Sequence, residues 1–236
     1  MKNIKKLSGM QAASDIYILC SGPSADYLQS QFLNDKIVIS VNASYKAYGT
    51  IDICDYIVMQ DYNSELIEEA GSGLYDWPKL IIPEHAGGMK TAKSFVKLEE
   101  QLFPEFKEKR YNRLFYYKHQ HNVGVNNKKL DWTNKEYLTI TKCSTHTAMH
   151  LAAHLGAHNI ILVGHDLGSI DGKLNYKDYK RYGSKDSYVK WMKNNENIGL
   201  DTVKRIRGAY GAYINIMSLN PFLSPNLDGH SYKFLG

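Results

Sequence analysis

Four short polar motifs in this chain carry residue types that could do chemistry. Ser21-Gly22-Pro23-Ser24 follows an apolar run. Its glycine lets a ligand approach the backbone, Ser24 can cap a helix, and free N–H groups at a helix start favour phosphate. The bland alternative is an ordinary strand-to-helix turn. Asn42 follows Ile37-Val38-Ile39-Ser40-Val41; its amide can donate to a phosphate, read a base or sugar, or simply cap the next segment. Asp61 closes Tyr56-Ile57-Val58-Met59-Gln60, where a carboxylate could hold a divalent metal or a sugar hydroxyl, or cap a helix over residues 63–69. His165-Asp166 closes Asn159-Ile160-Ile161-Leu162-Val163-Gly164. His165 could serve as acid or base, and Asp166, with Asp171-Gly172 beyond it, could bind a metal or a hydroxyl.

A fifth cluster, Ser144, Thr145 and Thr147, opens an Ala-, Leu- and Met-rich segment. Hydroxyls beside free N–H groups make an anion or ribose site, and a plain N-cap competes. His146, His150, His154 and His158 recur every fourth residue, a stripe on one helix face. Two histidines so spaced can share a metal. No carboxylate or cysteine joins the stripe, which is expected on the face turned away from Met149, Leu151 and Leu155, or packed under a loop. His146 is the one expected nearest the cleft.

The elements that must position these motifs read as follows. Apolar runs at residues 15–20, 37–42, 56–61, 79–83, 114–117, 159–166 and 212–218 predict strands. Helical segments are expected at 24–28, 43–48, 93–103, 144–155 (stopped by Gly156), 185–194 and 202–210. Residues 118–135 read as an exposed polar loop or lid. Short strands alternating with helices predict a mostly parallel α/β sheet, Rossmann-like, covered on both faces, as one domain over residues 1–236. Ligands of such sheets bind outside the carboxyl ends of the strands, and Ser21–Ser24, Asn42, Asp61 and His165-Asp166 all fall there.

The composition narrows the function classes. The 236 residues carry a net charge of +5 in dispersed positions, which fits an anionic small molecule better than a nucleic-acid track. No apolar run reaches the roughly 18 residues of a membrane-spanning helix, and no secretory leader is apparent. Three cysteines without metal or disulfide spacing, two of them in strand-like runs, suggest buried, reduced thiols and a cytoplasmic setting. There is neither a P-loop nor a dinucleotide fingerprint. Among 18 tyrosines, Tyr176, Tyr179, Tyr182 and Tyr188 alternate with Lys177, Lys180, Arg181 and Lys185. This basic aromatic stretch, within residues 168–200, could form a lid over an anionic donor or a solvated amphipathic helix. A homo-oligomer is left open.

The block Ser144 to Lys173, with its Leu-Gly-Ala-x-x-Ile-x-Leu-Val-Gly-x-Asp-Leu pattern, resembles the MptE-like domain found also in the motility accessory factors linked to flagellin glycosylation. Gly22-Pro23-Ser24, then Asn42, then a strand ending in Asp61 follow the order of that family. A more distant similarity is to the bacterial family 42 sialyltransferases. The resemblance implies a Rossmann-like fold and a nucleotide or nucleotide-sugar donor. In the sialyltransferases the Gly-Pro-Ser turn, the strand-end Asn and the helix-opening Ser hold a cytidine nucleotide, positions matched here by Gly22-Pro23-Ser24, Asn42 and Ser144. Their leaving-phosphate tyrosine pair falls at Gly168 and near Tyr176, and their general-base histidine near Glu196.

These residues lead to a transferase, glycosyltransferase-like, acting on a nucleotide-activated sugar for surface glycans. Ser24, Asn42 and Ser144 would hold the nucleotide, and Glu196, Asp166 or His165 would act as base. The MptE branch implies an alternative, diphosphoryl transfer from ATP to a hydroxymethyl pterin, with Mg²⁺ held by Asp61 and Asp166. The departures at Gly168 and Glu196 also suit a module that binds nucleotide without turning it over.

Overall fold

The computed structural model describes residues 2–49, 51–60, 66, 78–84, 113–121, 131–141, 143–166, 173 and 185–219. Nine parallel strands of these residues form one sheet: β1 (Lys2–Asn3), β2 (Asp15–Leu19), β3 (Ile37–Val41), β4 (Tyr56–Val58), β5 (Lys79–Pro83), β6 (Leu114–His121), β7 (Tyr137–Ile140), β8 (Asn159–Val163) and β9 (Asn215–Leu219). Their order is β1-β6-β5-β4-β3-β2-β8-β9, with β7 paired to the second half of β6. The mostly parallel α/β fold expected of the sequence is therefore observed.

The strands are nearly all apolar because both sheet faces are covered. Alternation along each strand divides the core in two. Ile16, Ile18, Ile39, Val41, Tyr56, Val58, Ile160 and Leu162 face one layer, with the helices α1 (Ser144–Leu155) and α2 (Lys185–Tyr210). Tyr17, Leu19, Val38, Ile57, Met59, Ile161 and Val163 face the other. There the described cover is a set of short 3₁₀ turns with Ala25, Leu33, Tyr45, Tyr48 and Ile51, together with the helical residue Leu66.

Several elements differ from expectation. The segment after Gly22 winds only as a 3₁₀ turn, Pro23–Tyr27, and the one after Asn42 as another, Ser44–Ala47. The two helices expected at 185–194 and 202–210 are one continuous helix, because nothing at Ile198-Gly199-Leu200 interrupts its backbone. β6 runs on to His121, so the expected loop begins as strand, and β7 follows within what reads as irregular sequence. The last strand starts at Asn215, after a turn at Gly211 (φ 121°). The expected helix at 93–103 and the loop residues 122–130 lie outside the described residues.

The chain runs from β2 outward through β3, β4, β5 and β6, then returns to lay β8 against the free side of β2. The order reverses between β2 and β8, the kind of place at which open parallel sheets take ligands. α1 enters that place from the sheet face it covers. No helix of the described residues is long and apolar enough to cross a membrane.

Candidate functional site

The carboxyl ends of β2 and β8 are joined backbone to backbone. Cys20 N–H donates to Val163 O at 2.8 Å and Gly22 N–H to Gly164 O at 2.7 Å. The crossing needs glycine twice. A Cβ on Gly22 would strike Gly164 O and Asp166 Oδ2, and Gly164 sits at φ 70° with Tyr48 Oη and Cys20 O where a Cβ would go. Tyr48 fastens the same point by donating to Cys20 O.

Asp166 ties this crossing to the Ser24 turn. Its Oδ2 accepts from Ser24 N–H at 2.7 Å and its Oδ1 from the Ser24 hydroxyl at 2.5 Å. Both residues are 2% exposed. Burial raises the Asp166 carboxyl above its ordinary range, and the two Ser24 bonds pull it back. The sequence suggests Ser24 as a helix cap with donors free for phosphate; the turn is too short for a helix, and both Ser24 donors go to Asp166. Ser21 and Gly22 are half-buried, Pro23 buried beneath them.

The first turn of α1 closes the other side. Cys143 is its N-cap and gives no side-chain cap; instead the Thr141 hydroxyl accepts from Cys143 N–H and donates to Cys143 O. No described residue accepts from the N–H of Ser144 or Thr145, the orphan donors of a helix start. The Thr145 hydroxyl meets Cys20 Sγ at 3.5 Å, linking α1 to the end of β2. Burial drives the Cys20 thiol far up, only partly offset by its hydrogen bond with Thr145, so it stays protonated.

His165, 5% exposed, lies beside Asp166 at the end of β8. Burial pushes its imidazole down to about 4. His146 on α1 is held down to about 3, first by burial and then by His165. Both are neutral at pH 7. His146 Nδ1 shares a hydrogen bond with the Thr141 hydroxyl at 2.8 Å.

His150 and His154 are neither turned to solvent nor merely packed under a loop; they are buried against regular elements. His150 and His154 are 0% and 2% exposed. Thr139 N–H donates to His150 Nδ1 at 3.0 Å, so the ring proton must sit on Nε2, which faces Trp132 O at 3.2 Å and Tyr210 Oη at 3.0 Å. His154 Nε2 meets Ile4 O at 3.0 Å. Each ring is a strut to a different element: β7, α2, or the turn after β1. His158 is exposed and stacks on Tyr213. Among the described residues no three His, Cys, Asp or Glu gather to hold a metal.

Asn42 stands at the end of β3 in the left-handed region, φ 52°. Its N–H donates to Val58 O and its carbonyl accepts from the Ser40 hydroxyl, which in turn accepts from Tyr45 N–H. The side chain is half-buried. Asp61, Tyr176 and the stretch around it lie outside the described residues. Glu196 is on α2, in the part whose side chains are not described.

Gln60, next to Asp61, was not singled out by the sequence reading, because the neighbouring carboxylate is the stronger chemical signal. It is 7% exposed. Its Nε2 donates to the Thr147 hydroxyl and lies 3.4 Å from Cys143 O. β2, β3, β4, β8 and α1 thus each deliver polar groups to the carboxyl edge of the sheet. Compared with known proteins, the chain matches no family model, no curated protein and no solved structure.

Proposed function

We propose that this chain is a transferase that binds a nucleotide or nucleotide-sugar at the carboxyl ends of β2, β3 and β8, and that it transfers the sugar. The carrying observation is the meeting, at the point where strand order reverses, of the Ser21-Gly22 turn, Asn42 and the free first-turn N–H groups of α1. Such a point is where open parallel sheets take ligands, and a helix N-terminus favours phosphate. The similarity of Ser144 to Lys173 to MptE-like and motility accessory domains, and more distantly to family 42 sialyltransferases, supports the same ligand class.

In this reading Ser144 and Thr145 take the phosphate with their N–H groups and hydroxyls. Asn42, Ser21 and Gly22 line the nucleoside side. Pro23 and Ser24 act through the turn they build, and Asp166 holds that turn rather than a substrate. An acceptor hydroxyl attacks the anomeric carbon; its proton passes to a base, the bond from that carbon to the phosphate oxygen breaks, and the nucleoside phosphate leaves with the electron pair. His165, held neutral, is in the protonation state a base requires; Glu196 is the second candidate from the resemblance, and Tyr176 the group for the leaving phosphate. Diphosphoryl transfer with Mg²⁺ would need Asp166 to release Ser24, so sugar transfer is preferred. A cytoplasmic site of action follows from the class of donor.

The test is thermal unfolding with CMP, CDP, a CMP-sugar, UDP, GDP and ATP, each with Mg²⁺ and with EDTA. A ligand at 100 times its dissociation constant adds about 2.7 kcal/mol. Stabilisation by a pyrimidine nucleotide in EDTA is the expected result. Stabilisation by ATP only with Mg²⁺ transfers the assignment to diphosphoryl transfer, and no stabilisation by any of them defeats the reading.

A further inference from the structure

The two ends of the sheet are finished differently. At one end lie β1, a two-residue strand that opens with Lys2, and β7, beside the far half of β6. The outer backbone of β7 is taken up by α1. Thr139 N–H donates to His150 Nδ1 at 3.0 Å, and Thr139 O accepts from the Thr147 hydroxyl at 2.8 Å. A short strand, a lysine and a covering helix are devices that keep a sheet edge from pairing with another chain.

At the other end lies β9, paired to β8 on one side and to no described strand on the other. From Tyr213 to Leu219 the chain reads Tyr-Ile-Asn-Ile-Met-Ser-Leu, with no charge and no proline. Asn215 N–H donates to His158 O at 2.9 Å, and the parallel register continues unbroken to Leu219. The backbone groups of Asn215, Met217 and Leu219 therefore turn toward β8, and those of Ile216 and Ser218 turn outward. Beside this edge Tyr213 and Met217 are 64% and 41% exposed, while Ile214 and Ile216 are buried on the opposite face.

The strand is complementary to itself about its middle. Overlap of its five residues with those of a second copy, run antiparallel about a two-fold axis, opposes Met217 to Met217, Asn215 to Leu219 and Ile216 to Ser218. Ile216 and Ser218 then exchange N–H···O bonds through the groups that face outward, and Met217 falls at the closely spaced position where side chains meet. No like charges are opposed, as they would be in a charged strand paired with its own copy. Such a contact closes at two chains.

We propose that β9 is the surface through which two copies of this chain pair, antiparallel and edge to edge, so that their sheets run on as one. This stands apart from the nucleotide-binding reading above.

The experiment is sedimentation velocity of the full chain over a dilution series, with circular dichroism to report folding. The intact chain is expected to sediment as two chains. Ser218→Pro removes an outward N–H and leaves the bonds to β8 in place. Met217→Lys and Met217→Glu each oppose two like charges at the axis. All three variants are expected to sediment as single chains. An equal mixture of Met217→Lys and Met217→Glu should restore the two-chain species, which a merely damaged fold would not do. Met217 is exposed, so its variants carry the decision should Ser218→Pro fail to fold. A single chain at every concentration of the intact protein overturns the proposal, cover of β9 by residues 220–236 of the same chain being one way to that result. So does a two-chain species that survives Met217→Lys or a folded Ser218→Pro, and so does a mixture that fails to restore it.

Discussion

Ser24 and Asp166 are 142 residues apart and make a two-point contact: the backbone N–H and the hydroxyl of the serine each donate to a different oxygen of the carboxylate. The turn that follows β2 is thereby locked to the end of β8. Hydrogen bonds to an ionised acceptor are worth roughly 1.5–3 kcal/mol each. Asp166→Ala should destabilise the chain by about 3 kcal/mol, leaving two buried donors unpaired. Ser24→Ala removes only the hydroxyl and should cost about 1.5 kcal/mol. In a double-mutant cycle by urea unfolding, the pair should cost clearly less than the sum of the two. Additive losses would mean that the contact does not hold the turn.

Gly22 is required for space and not for its dihedral angle, which is an ordinary φ of −70°. Gly22→Ala drives a methyl into Gly164 O and the Asp166 carboxylate, one of them backbone that cannot rotate aside. The cost of such overpacking is about 1–3 kcal/mol. The variant should unfold at lower temperature and lose whatever nucleotide affinity the intact chain has, since the β2–β8 crossing must open. A variant with unchanged stability and affinity would show that the turn can move freely.

Acid should unfold this protein through its buried imidazoles. His146 and His150 are held down to about 3 and His165 to about 4, burial being the leading cause for each. Because the folded values are depressed, the stability they contribute is fully present above the unfolded value of about 6.5 and is lost as pH falls toward the folded values. The slope is about 1.4 kcal/mol per pH unit for each imidazole. Asp166 works in the opposite sense: its raised carboxyl favours the folded chain on acidification, against these three imidazoles and that of His154, which burial also lowers. Urea unfolding at pH 7, 5.5 and 4.5 should show falling stability. His150→Gln should flatten that fall by about one imidazole's slope, even though it lowers stability at pH 7. An unchanged slope would exclude His150 as a contributor.

The histidines also mark where the sequence misleads. A polar stripe on a helix reads as a solvent face or a metal site, yet His150, held neutral with a partner at each ring nitrogen, is fully buried. Thr139, Trp132 and Tyr210, which provide the partners of His150, are 11, 18 and 60 residues from it, too scattered to be seen as a group. The central strands were legible because a strand buried on both faces must be a continuous apolar run. β7 was not, because Tyr137-Leu138-Thr139-Ile140 is four residues set in polar sequence and its partner, the far half of β6, is itself polar. The placing of Ser21 to Ser24, Asn42 and His165-Asp166 at the carboxyl ends of strands follows from parallel topology and is legible in the sequence. The pairing of Ser24 with Asp166 is not legible there, since it depends on which strand lies beside β2, nor is the bond of Gln60 to Thr147, which depends on where α1 packs.

Asn42 separates folding from binding most cleanly. It holds a left-handed backbone at φ 52°, which costs an ordinary L residue roughly 1–2 kcal/mol and glycine almost nothing. Ser40 and Val58 fix that conformation through the Asn42 carbonyl and N–H, so a substitution cannot escape it by relaxing. Asn42→Ala should therefore lose about 1 kcal/mol of stability, and Asn42→Gly little or none. Both variants lack the side-chain amide that the proposed site assigns to the nucleotide, so both should weaken nucleotide binding equally, by about five- to tenfold for one lost hydrogen bond. Melting curves and titrations of the pair divide the two effects. Matching affinities with unequal stabilities assign the side chain to the ligand and the dihedral to the fold. If Asn42→Gly keeps full affinity, the amide has no part in binding, and the asparagine is there only because it tolerates the turn.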